Sequence, residues 1–172
     1  MRSLMRAVQG IAVAFVTILA GAALAAPDAT ITLQGDVNPA VSISGVNANL
    51  SLTLVPGNGV TTADANGICV YSSSPGAQYT LDIASTSNGG DFTLDNVDDT
   101  GVTIGFTATW DDATTTGNTV TVGANAGPFI GTTDVSCSAS NAALHITPVQ
   151  ADVDTATTGH YTTTLTLTVA PI

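Results

Sequence analysis

The chain is 172 residues long, with 13 acidic residues against two arginines and two histidines. Every acid is Asp, both arginines lie within the first six residues, and no lysine occurs. Past that point no Lys or Arg remains to neutralise a phosphate, so nucleic-acid binding is excluded and attachment to an anionic membrane surface is disfavoured.

Residues 1–25 read as a secretory signal peptide. Arg2 and Arg6 supply the positive start, "IAVAFVTILAGAALA" (11–25) the apolar run, and Ala23-Leu24-Ala25 the small-residue cleavage pattern. A membrane anchor is the competing reading, but the run is short for one. The mature chain is then expected to begin at Ala26 and to be exported. Its lack of lysine excludes Lys–Asn isopeptide cross-links.

"ATITLQGDVNPAVSIS" (29–44) puts Ile31, Leu33, Val37, Val41 and Ile43 on one parity, the period-two pattern of a half-buried strand. Pro39 cannot donate to a ladder, so it divides two strands or marks an edge. We therefore separate an N-terminal extension, 26–38, from a domain, 39–172.

Within the domain, Leu50, Leu52 and Leu54 alternate in "LSLTL". "GICVY" (67–71) carries Cys69, and "YTLDI" aligns Tyr79, Leu81 and Ile83. "VTIGFTATW" (102–110) aligns Val102, Ile104, Phe106, Ala108 and Trp110 as the longest internal strand. "DDATTTGN" (111–118) reads as a polar hairpin loop leading to "TVTV" (119–122). "DVSCS" (134–138) carries Cys137, and "ALHI" (143–146) follows. Asn58-Gly59, Asn66-Gly67 and Asn88-Gly89 supply the positive φ of tight turns. Short strands punctuated by turns predict a single all-β domain, an antiparallel sandwich.

The last segment, "GHYTTTLTLTVAPI" (159–172), sets Tyr161, Leu165, Leu167 and Val169 on one face and threonines on the other. A long alternating strand with an open edge is an aggregation hazard unless another strand covers it.

Cys69 and Cys137 are the only cysteines, and in an exported chain they are expected to form a disulfide. No catalytic set is legible, so the chain is not expected to be an enzyme or to carry a cofactor. Asp98-Asp99 and Asp111-Asp112 lie in turn-like sequence and read as solvated loop charge, not as a glycosidase pair. "DNVDDTG" (95–101) departs from calcium-loop spacing at Val97, and the chain contains no Glu. His145 and His160 lack metal-ligand spacing and read as ordinary strand or loop residues. Asn49-Leu50-Ser51 is formally a glycosylation sequon.

The two ends of the expected mature chain resemble chaperone–usher pilin subunits. The closing segment is similar to the C-terminal strand of those subunits and of the related spore coat protein U family. Both favour a G-x-Y start and alternating apolar residues, here Gly159, Tyr161, Leu165, Leu167 and Val169. Many such pilins have a Gly fourteen residues from the end, which Gly159 matches. They also favour a penultimate aromatic, where this chain has Pro171. "ITLQGDVNPAVSI" (31–43) resembles the N-terminal extension of the alternate, colonisation-factor pilins.

The resemblance implies an immunoglobulin-like sandwich lacking its last strand, completed first by a periplasmic chaperone and then by the extension of the next subunit. It implies an outer-membrane usher, copies of this chain or related pilins as partners, and a cell-surface fibre as destination. Ile31, Leu33 and Val37 would be the donor knobs. Tyr161, Leu165, Leu167 and Val169 would edge the acceptor groove. The alternatives are a secreted monomeric binding or adhesin module, with Trp110, Tyr71 and Tyr79 as sugar-platform aromatics, and a spore-coat-like matrix protein.

Overall fold

The computed structural model describes residues 34, 37–46, 49–87 and 89–172. The expected signal peptide and the knobs Ile31 and Leu33 lie outside the described residues. The chain divides into a unit spanning Met1–Asp36 and a second, compact unit spanning Val37–Ile172. The architecture below is that of the second unit.

Its strands are β1 (Val41–Ser44), β2 (Ala63–Ser72), β3 (Gln78–Ser85), β4 (Thr93–Asn96), β5 (Thr103–Asp111), β6 (Asn118–Val120), β7 (Ala126–Ile130), β8 (Ala142–Pro148), β9 (Tyr161–Thr162) and β10 (Leu165–Pro171). A 3-10 turn (Pro75–Ala77) separates β2 from β3, and a short helix, α1 (Gln150–Thr155), follows β8. All the strand pairs are antiparallel. The larger sheet runs β1-β2-β8-β5-β4-β9, with β6 added to β5, and the smaller runs β10-β3-β7. The expected all-β sandwich is the observed fold.

The period-two segments bury their apolar faces between the two sheets. From β2 come Ile68 and Val70, from β3 Tyr79, Leu81 and Ile83, from β5 Ile104, Phe106, Ala108 and Trp110, and from β8 Leu144 and Ile146. Trp110 and Tyr79 are both 0% exposed, and the indole Nε1 donates to the Tyr79 hydroxyl at 2.9 Å, joining the sheets through the core. A buried N–H without an acceptor is costly, so this bond fixes which strands face each other. Cys69 on β2 and Cys137 are joined by a disulfide with Cα atoms 5.8 Å apart, as expected.

Three segments depart from the sequence reading. "DVSCS" is a loop, not a strand, because Asp134 competes for its backbone. Oδ1 accepts from the amide and hydroxyl of Ser136, and Oδ2 from those of Ser138. "LSLTL" has no ladder partner among the described residues, although Leu52 and Leu54 still pack on the core. The closing segment is two strands. β9 pairs with β4 in the larger sheet, and after Thr163-Thr164 the chain crosses to pair with β3 in the smaller one.

Candidate functional site: an open seam in the sandwich

β10 pairs with β3 from Leu165↔Ser85 to Pro171↔Tyr79 and, among the described residues, is the last strand on its side of the smaller sheet. Its burial is incomplete. On β3 the inward residues Tyr79, Leu81 and Ile83 are 0–1% exposed, whereas Leu165, Leu167 and Val169 are only half-buried. Val41 and Ile43 on β1, the edge of the larger sheet, and Leu52 and Leu54 are half-buried as well. These residues all pack against the core, so its incompletely covered margin runs along one seam.

The seam opens as a cleft between two lips. One is the coil 49–54, with Asn49, Leu50, Leu52 and Leu54 facing the gap. The other runs from Gly159 through β9 to Leu165 and Leu167. Leu94, Phe106, Leu144, Ile146 and Ala65 form the floor, and the central recess holds about 270 Å³. The first lip is tethered at its far end, where the Gly57 amide donates to Asp154 Oδ1 at 2.8 Å. That bond, with a second from Gln150, holds the Asp154 carboxyl below its ordinary range.

Local constraints fix the second lip. Asn96, 4% exposed, accepts the amides of Asp98 and Asp99 through Oδ1 and donates to Thr157. A Cβ on Gly159 would stand 2.6 Å from that side-chain amide, so the close approach requires glycine. The His160 amide donates to Asp98 Oδ2 at 3.0 Å, and the Tyr161 hydroxyl donates to the Thr157 carbonyl at 2.8 Å.

The cleft brings together three of the four expected groove residues. Leu165 and Leu167 line its central part, and Tyr161 lines the adjoining part from the other sheet. Val169 packs half-buried against the core farther along β10. Of the expected knobs, Val37 is 90% exposed and Ile31 and Leu33 lie outside the described residues. Sequence reasoning missed Leu50 and Leu52 as the opposite lip; their alternation was visible but suggested a paired strand. Trp110 and Tyr79 are core residues, so neither offers a sugar platform.

Apart from His160 and Tyr161 the lining has no titratable side chain among the described residues. Among the described residues no group of three or more His, Cys, Asp or Glu is placed to hold a metal ion, and no helix is long and apolar enough to cross a membrane. The chemistry on offer is apolar surface beside a backbone edge that has no ladder partner among the described residues, which suits an extended segment with alternating apolar side chains.

No family model matches the sequence, and no curated protein matches it. Among solved structures, one similar chain comes from work on a chaperone–tip adhesin complex in CFA/I fimbriae biogenesis. It shares 17% identity at a TM-score of 0.49, over 77% of the present chain. The match spans 41% of the length of that structure's chain.

Proposed function

We propose that this chain is a structural subunit of an extracellular fibre, assembled by strand donation after export. The extension 26–38 of one copy, or of a related subunit, enters the seam of the next. Ile31, Leu33 and Val37 fill the cleft edged by Tyr161, Leu165, Leu167 and Val169. The observation that carries this reading is the half-buried inward face of β10 beside almost fully buried β3. Each apolar side chain taken from water to full burial contributes roughly 1.5–3 kcal/mol. Ladder bonds to the open edge of β10 and to the coil 49–54 supply affinity with little sequence dependence. A periplasmic chaperone would hold the seam before assembly, and an outer-membrane usher would direct polymerisation.

The test uses purified mature protein, its Leu33→Asp variant and a deletion of residues 26–37. Leu33→Asp sets a carboxylate into an apolar groove without a partner, which is costly. Both variants are expected to lose polymers in size measurements and to be stabilised by a synthetic peptide of residues 26–38. The reading fails if the intact protein stays monomeric at high concentration and the deletion melts at the same temperature. If the deletion unfolds a protein that was monomeric throughout, the segment completes its own domain, and a secreted binding or adhesin module is the better description.

A further inference from the structure

On the face of the larger sheet opposite the cleft, His145 stands between two carboxylates. Its Nδ1 lies 2.7 Å from Asp64 Oδ1 and its Nε2 lies 3.1 Å from Asp111 Oδ2. Asp64 is on β2, His145 on β8 and Asp111 on β5, three adjacent strands. Side chains alternate between faces, so the neighbours Ala65, Leu144 and Ile146 point the other way and form part of the cleft floor. The row of charge therefore backs the floor.

A neutral imidazole has one N–H and can donate to only one of these carboxylates; the imidazolium donates to both. Without the second proton, one carboxylate oxygen faces a ring lone pair at hydrogen-bond distance. Asp111 cannot easily turn aside, because its Oδ1 accepts the Gly117 amide at 2.7 Å. Among the described residues the charged groups facing His145 are Asp64 from β2 and Asp111 from β5. β8 has no other titratable residue, and β6, next to β5, consists of Asn118, Thr119 and Val120.

We propose that the Asp64–His145–Asp111 row is a proton-operated clamp that ties β2, β8 and β5 together behind the cleft, closed while the ring holds two protons and open when it loses one. The hydrogen bond to Asp64 raises the His145 pKa; burial opposes this, and Asp111 adds to the rise. A pKa raised in the folded state means the stabilisation is fully present below the unfolded value, 6.5, and is lost as pH climbs through the folded value.

The experiment follows the His145 ring by NMR and thermal unfolding of wild type and His145→Gln between about pH 5 and about pH 9, a window that brackets an ordinary histidine. The ring is expected to titrate above 6.5. Across that titration wild type is expected to lose roughly 2–4 °C relative to His145→Gln, the shift expected of one modest ion-pair network in a domain of this size. Amide exchange at Leu144 and Ile146 should be slower in wild type at the acid end and equal at the alkaline end. Titration at or below 6.5, or parallel melting profiles, overturns the clamp. If His145→Gln does not fold, Asp64→Asn with Asp111→Asn decides: the ring must fall back to an ordinary titration. None of these readouts depends on strand donation.

Discussion

The hydrogen bond between Trp110 and Tyr79 shows how much a single atom carries in this fold. Burial pushes the Tyr79 pKa up to about 12 against the bond from the Trp110 indole, so the hydroxyl stays neutral. Tyr79→Phe keeps the ring and its contact with Phe129 but leaves a fully buried indole N–H without its acceptor. The expected loss is about 1–3 kcal/mol, read as a lower denaturant midpoint at unchanged slope; no shift would mean that water or another acceptor takes the N–H. Gly159 depends on shape, not polarity. Gly159→Ala drives a methyl into the Asn96 side chain, which must give up the amides of Asp98 and Asp99 to move aside. Overpacking of this kind costs about 1–3 kcal/mol. Thermal unfolding checks it, and an unchanged melting temperature would show that the second lip yields freely. Gly159 was singled out in the sequence by resemblance to a family pattern; the contact with Asn96 gives its physical reason.

At the level of elements, legibility followed the side-chain period. β3, β5 and β8 alternate apolar and polar residues and were readable, as was the polar β5–β6 loop; of β2 only 67–71 was legible, because the apolar run Ile68-Cys69-Val70-Tyr71 and the register shift between Ala65 and Ile68 break the period. β4 was not: four residues, one buried leucine and a buried Asn96 carry little pattern. β7 contains Gly127-Pro128, which reads as a break. α1 has six residues, too few for a helical period, and is held by tertiary contacts: Val153 is buried and Asp152 Oδ2 accepts the Gly105 amide at 2.9 Å. The closing segment was legible as an alternating stretch but not as two strands, because a change of sheet at Thr163-Thr164 leaves the inward parity intact. The expectation that its residues edge a groove came from the family resemblance, not from the period, and no such cue marked the opposite lip, 49–54. Which alternating coil finds a ladder is decided by the rest of the fold. The disulfide belongs to this scale, since it ties β2 to the loop 134–138 across 68 residues. Replacing both Cys69 and Cys137 by Ser is expected to remove about 4 kcal/mol in the chain-entropy account. Chemical denaturation under non-reducing conditions measures it, and a loss below about 1 kcal/mol would mean the reduced chain remains compact when unfolded.

The charge of the whole molecule bears directly on how copies would meet under the proposed assembly. The sequence carries thirteen carboxylates and no lysine at all, and its two arginines lie within the first six residues. The extension 26–38 is itself acidic through Asp28 and Asp36. Under the proposed assembly two such chains repel, and with no Lys or Arg past residue 6 no strongly basic patch steers the extension to the seam. On that reading attraction begins only when apolar side chains reach the cleft, at separations where screening has already acted. The Debye length falls from about 30 Å at 0.01 M salt to about 10 Å at 0.1 M. Self-association of the mature protein is therefore expected to accelerate as salt rises over that range, opposite to the slowing seen when complementary charges steer association. Stopped-flow light scattering at fixed protein concentration and neutral pH reads the rate directly. A variant with Asp28 and Asp36 both changed to Asn should associate faster at low salt and converge with wild type at high salt. A rate that falls with salt would mean that His145 or His160 supplies a complementary site between copies, and the charge argument would be wrong. A rate that ignores salt would place the slow step after encounter, in opening the lip formed by 49–54.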